Sequence, residues 1–188
     1  MFSLEQIQTA LIDNWPIWVV TVVLVVAAVI DGWKLKVPNW VTFPFIISGW
    51  IYMGVADGWS GFGYSLLGTT VGLGLLLPLY AIGGMGAGDV KLLAGVGAWV
   101  GSMITLWAFC LSAVFGGIIA LAMIVYRKSW NKHKNNMLMI LNEVATVRDP
   151  NALAAIAAER KSSMLLLPYG IPIAIGTIVY FAWTGMLL

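Results

Sequence analysis

Two carboxylates draw attention in this chain of 188 residues. Asp31 closes an apolar run that ends at Ile30. Asp89 opens another, after the small-residue string Gly83-Gly84-Met85-Gly86-Ala87-Gly88. With 61% hydrophobic and 10% charged residues and a mean hydropathy of +0.92, the chain departs from soluble domains, in which about a quarter of residues are charged. A charge in a membrane-embedded chain pays a large desolvation penalty and is a functional-site candidate by default. The glycines before Asp89 remove the Cβ atoms that would keep an extended peptide away from it. Two carboxylates held close cannot both ionise cheaply, so one keeps a proton. The pair then supplies a general base to activate water and a general acid to protonate a leaving amide nitrogen. Each acid also has a plainer reading. Asp89 opens a helix and can cap its free N–H groups. Asp31, beside Gly32, can lie in interfacial water, although at the end of a helix its charge has the wrong sign for the dipole.

Crossing a bilayer core takes about 20 apolar residues in a helix, with about 17 tolerated. On that scale the sequence predicts an all-α polytopic membrane protein forming a single domain over 1–188, with about six transmembrane helices near 15–30, 40–56, 64–82, 90–102, 103–126 and 164–187. The uncharged stretch from Leu92 to Tyr126 is too long for one span, and Gly97, Trp99, Gly101 and Ser102 offer a place to turn. Ser3 to Gln6 matches a capping box, and Leu4, Ile7 and Leu11 share one face, so 3–13 reads as a short interfacial helix. No cleavable signal peptide is expected, because Glu5 and Asp13 precede the first apolar run and no Lys or Arg does. The polar segment of about 127–163 is expected to hold helical pieces at 136–147 and 151–161, separated at Asp149-Pro150-Asn151.

Basic residues accumulate on the cytoplasmic side of membrane proteins. Six spans put Lys34, Lys36, Lys91, Arg127, Lys128, Lys132, Lys134, Arg148, Arg160 and Lys161 on one face, which accounts for all 10 Lys and Arg residues. Both termini and Asp57 then lie outside the cytoplasm, and both candidate aspartates lie on the cytoplasmic side. The basic cluster at 127–134 is read as facing anionic lipid, with His133 solvated among its neighbours. Lys91 has two readings, holding Asp89 ionised or snorkelling to lipid phosphates. Pro38-Asn39 likewise either starts the second span or shapes the site. The 10 tryptophans mostly fall near predicted span ends, as interfacial anchors do. The single cysteine, Cys110, excludes an intrachain disulfide and a multi-cysteine zinc site, and reads as an apolar filler within a helix.

Gly86-Ala87-Gly88-Asp89 matches the GxGD signature of membrane aspartic proteases, and the string from Gly83 to Leu92 resembles that of prepilin peptidases. Asp31 followed by Lys34, Lys36 and Val37-Pro38-Asn39 is similar to that family's first aspartate segment. Pro168-Tyr169-Gly170-Ile171-Pro172 is similar to its Pro-Tyr-Gly segment. The resemblance implies an aspartic endopeptidase of the inner membrane that cleaves leaders from prepilins or pilin-like precursors at the cytoplasmic face. It carries Asp31 and Asp89 over as the catalytic pair, with Gly84, Gly86, Gly88, Lys91, Pro38 and Asn39 shaping the site. It implies no metal and no cofactor, and as partners a precursor protein and membrane lipid rather than nucleic acid. Larger members carry a cysteine-bearing insert between the first two spans and also methylate the new N-terminus. Here only Gly32 to Asn39 join those spans, so the resemblance points to the small Flp/Tad-type peptidases. Two other readings compete. One is a small transporter or channel component using the aspartates as ion sites, although such sites sit near the midplane and often within repeats. The other is a related GxGD protease such as an archaeal preflagellin peptidase.

Overall fold

The computed structural model describes residues 14–126 and 168–187, together with the isolated positions 139 and 146. The expected interfacial helix at 3–13 and the helical pieces at 136–147 and 151–161 lie outside the described residues, as does the basic cluster at 127–134. Four helices account for nearly everything described: α1 (Trp15–Lys34), α2 (Asn39–Ala81), α3 (Ala87–Tyr126) and α4 (Gly170–Trp183). The first three are long and apolar enough to cross a membrane, by length and composition.

Continuous helices of the 43 and 40 residues in α2 and α3 would each run to about 60 Å, twice a bilayer core. Each is broken at one glycine with positive φ, Gly58 (φ 62°) and Gly101 (φ 78°), a backbone region that side-chain-bearing residues rarely adopt. The arms of α2 fold into a hairpin at Gly58, because Trp50 Nε1 donates to Thr69 Oγ1 at 2.9 Å and Gly54 faces Phe62. In α3, Gly116 and Gly117 of the second arm return to line a cavity with Met85, which lies just before the first arm.

The first arm of α3 is the centre of the bundle. Leu92, Leu93, Ala94, Val96 and Ala98 are fully buried, so this arm is apolar on all sides and small enough to be surrounded. The first arm of α2 runs beside it in parallel, with Phe45 at Gly95 and Gly49 at Ala98. The second arm runs antiparallel, with Gly68 at Gly97, Gly72 at Ala94 and the Ser65 hydroxyl bonded to the Ala98 carbonyl. At the far end of this helix Trp99 is buried, its Nε1 donating to the Phe45 carbonyl at 3.0 Å. Trp15, at the start of α1, meets Trp99 and Tyr52 edge-on there. Small residues also carry the seam between α3 and α4, where Gly176 lies against Ser112.

Several boundaries differ from those the sequence predicts. The loop expected at 57–63 shrinks to the single break at Gly58, with helix up to Asp57 and again from Trp59. The first span does not stop at Ile30; α1 continues to Lys34 and ends on Leu35 in the left-handed region, its N–H reaching the Asp31 carbonyl at 2.7 Å. The last helix, Gly170–Trp183, stops short of 187 because a Schellman turn closes it, while 164–167 lie outside the described residues. In that turn the N–H of Met186 reaches the Phe181 carbonyl at 2.9 Å around Gly185 (φ 74°). Trp99 is a core residue rather than an interfacial anchor, whereas Trp33, Trp40, Trp59 and Trp183 are exposed at helix ends. Cys110 lies on the exposed face of the second α3 arm and fills no core position.

Candidate active site

The buried stripe of α1 is Ile17, Val20, Leu24, Ala27 and Asp31, steps of three and four that hold one helical face toward the bundle. The last member of this stripe is a carboxylate. Asp31 is only 2% exposed, so it points into protein and not into interfacial water. Because Trp15 packs at the Trp99 end, α1 runs antiparallel to the first arm of α3, and Asp31 arrives at the end of the bundle where α3 begins. Asp89 is in the first turn of α3 and 5% exposed.

Each carboxylate accepts a backbone N–H. Asp89 Oδ2 takes the Gly86 N–H at 3.0 Å, while the Asp89 N–H reaches the Gly86 carbonyl at 3.2 Å. This is half of a capping box, with the Asp89 side chain reaching back to satisfy the N–H at the start of α3. Asp31 Oδ2 takes the Gly170 N–H at 2.8 Å, across 139 positions of sequence. That N–H belongs to the first turn of α4, whose positive end offsets the adverse dipole Asp31 meets at the end of its own helix. Tyr169, the preceding residue, feels the charge of Asp89. The Tyr169-Gly170 step thus opens α4 beside Asp31.

The glycines before Asp89 have distinct local reasons. Gly83 (φ 78°) ends α2 in a Schellman turn, with the Gly84 N–H on the Leu79 carbonyl at 2.9 Å. Gly86 supplies the amide for Asp89. Gly88 is a point of close approach, where a Cβ would collide with the Val37 carbonyl and lie 3.0 Å from Val37 Cβ. Val37 itself is buried, so the connection from α1 to α2 is pressed onto the turn that holds Asp89. Its signal in the sequence is one apolar residue between Lys36 and Pro38. Pro38 is the N-cap of α2, with the Val41 N–H on its carbonyl at 3.1 Å. Lys91 turns toward α2, donating to Asn39 Oδ1 at 3.0 Å with its ammonium 4.5 Å from the Phe43 ring centre. Two further residues were not singled out by type: Gly170, whose amide reaches Asp31, and Tyr169.

On the far side of Tyr169 lies an apolar cavity of about 270 Å³ between α2, the second arm of α3 and α4, walled by Leu79, Met85, Phe109, Gly116, Tyr169 and Pro172 among others. Among the described residues, no group of three His, Cys, Asp or Glu side chains stands close enough to hold a metal ion.

An all-helical apolar bundle that buries two aspartates at one end, the second preceded by Gly86-Ala87-Gly88, narrows the class to helical membrane proteins with an acidic site. The type IV leader peptidase family matches residues 18–121, from α1 through both aspartates to the second arm of α3, and the chain belongs to that family. It is similar to the prepilin leader peptidase/N-methyltransferase of Aeromonas salmonicida (strain A449), 32% identical over 122 residues covering 61% of this chain and 40% of that protein. A protein of the same name from Aeromonas hydrophila is 31% identical over 122 residues, covering 61% of this chain and 41% of its own length. The match thus spans well under half of either curated relative. No solved structure matches the chain.

Proposed function

We propose that this chain is an aspartic endopeptidase that removes the leader from type IV prepilins or pilin-like precursors, of the Flp/Tad kind, with Asp31 and Asp89 as its acid–base pair. The observation that carries the reading is the pair itself: two acids from distant segments, both buried, at one end of one bundle. Burying a carboxylate is expensive, and burying two together without a function is harder to account for than burying one.

In this reading one aspartate is ionised and the other protonated. The ionised carboxylate takes a proton from water as its oxygen attacks the scissile carbonyl carbon. The protonated partner gives its proton to the amide nitrogen as the C–N bond breaks, leaving a leader carboxylate and a new amino terminus. The substrate presents a polar leader followed by an apolar helix, with the helix in the membrane and the scissile bond at its cytoplasmic rim. Six spans, both termini outside the cytoplasm, an inner-membrane location and an active site facing the cytoplasm belong to the same proposal. They are supported by the described basic residues Lys34, Lys36 and Lys91, which share the aspartate end, while Asp57 adjoins the break at the other. Only the peptidase step is proposed. The methyltransferase in the relatives' names is not carried over, since the first two helices are joined here by a short connection without cysteine.

Co-expression with a pilin-like precursor tests the reading. Asp31→Asn and Asp89→Asn each abolish the mobility shift of the processed form while membrane abundance is unchanged. Full processing by either variant defeats it.

A further inference from the structure

We infer that Gly170 is a positioning residue of the proposed site, holding the Asp31 carboxylate in place through its main-chain N–H. The inference rests on the peptidase reading and extends it to a residue outside the acid pair.

Asp31 ends the buried stripe of α1, and the carbonyl end of its own helix does nothing to hold a negative charge. The first N–H groups of a helix have no partner within it. The Gly170 N–H is such a donor, and it meets Asp31 Oδ2 at 2.8 Å in a buried setting, where a hydrogen bond to a charged group is strong and directional. The approach depends on the missing side chain. A Cβ at 170 would stand 2.9 Å from Asp31 Oδ2, 3.0 Å from its Cβ and 3.2 Å from its Cγ. A side chain at 170 keeps the amide this close only if Asp31 gives way by a few tenths of an ångström.

The donor is fixed to a firm support. Ile173, Ala174, Thr177 and Phe181 of α4 are buried, and Gly176 packs on Ser112 of α3.

Replacing the Gly170 residue by glycolic acid tests this on the full chain, made by cell-free translation into nanodiscs. The substitution exchanges the N–H for an ester oxygen and adds no bulk. With a purified pilin-like precursor, kcat falls about tenfold to a hundredfold, the range for losing one hydrogen bond to a charged group, while KM is unchanged. The matching α-hydroxy acid at Ile171 removes an N–H that reaches the Pro168 carbonyl at 3.2 Å, and leaves kcat unchanged. Gly170→Ala, by ordinary mutagenesis, also lowers kcat without raising KM. Equal losses from the two esters, or full kcat in the Gly170 ester or in Gly170→Ala, overturn the inference. Asp31→Asn and Asp89→Asn run in the same assay separate the two levels. If they are inactive while the Gly170 variants are fully active, only the role of Gly170 falls; if they cleave normally, the peptidase reading itself is lost.

Discussion

Gly68 and Gly97 meet backbone to backbone: a β-carbon built on either one collides with the carbonyl oxygen of the other. This contact lets the second arm of α2 lie directly on the central arm of α3, and the central arm carries Asp89 at its start. Gly97→Ala is therefore expected to lower stability by about 1–3 kcal/mol, the usual penalty of overpacking a close-packed core. Thermal unfolding in detergent measures it. Gly117→Ala, where a β-carbon meets nothing within 4 Å, serves as the neutral comparison.

Gly88→Ala is expected to act on the site itself. The obstacle is the main-chain carbonyl of Val37, so trimming the Val37 side chain does not remove it. Gly88→Ala and the double variant Gly88→Ala/Val37→Ala should both lose most precursor processing. Recovery of processing in the double variant would show that side-chain crowding, not backbone approach, is what Gly88 relieves.

Lys91 is paired with Asn39 and Phe43 on the partly exposed rim. A cation over an aromatic ring at an exposed position contributes about 0.5–1 kcal/mol. Lys91→Met should lower stability by about that amount and leave processing within about threefold of wild type, as surface substitutions usually do. A loss as deep as that of Asp89→Asn would mean that Lys91 takes part in the chemistry.

Trp99 joins the far end of the bundle through its bond to the Phe45 carbonyl and its stacking on Tyr52, with ring centres 5.1 Å apart. Trp99→Phe keeps a ring but removes the donor. The Phe45 carbonyl keeps the Ser48 hydroxyl as a donor at 3.0 Å, so the loss is the net worth of one hydrogen bond, about 0.5–1.5 kcal/mol. Since this end is remote from the acids, KM and kcat should stay at wild-type values in the folded fraction.

The sequence makes the helical class legible because apolar runs separated by glycine and charge are strong signals. It also identifies Gly101 among the residues where the long uncharged stretch turns. It fails where a boundary depends on packing. Asp31 looks like the end of a span because the run of apolar residues stops at Ile30, yet the three-and-four spacing from Ile17 carries on through it. The 57–63 segment reads as a loop because it is rich in glycine and polar residues, but only Gly58 leaves helical geometry. Trp99 reads as an anchor because tryptophans collect at interfaces. Its burial depends on Phe45, Tyr52 and Trp15 arriving from other helices, which no local window contains. The Gly170 amide is the extreme case, since its partner is supplied by another helix. Only the Pro168-Tyr169-Gly170 motif hinted that this helix start was special.

The brevity of α4 has a consequence for the surroundings of the acids. Its 14 residues rise about 21 Å, against a hydrocarbon layer of about 30 Å. A short apolar helix is accommodated by local thinning of the bilayer, by snorkelling of flanking residues or by oligomerisation. Where a bilayer thins to match that length, headgroups and the water they carry come nearer to the acid pair of the proposed site.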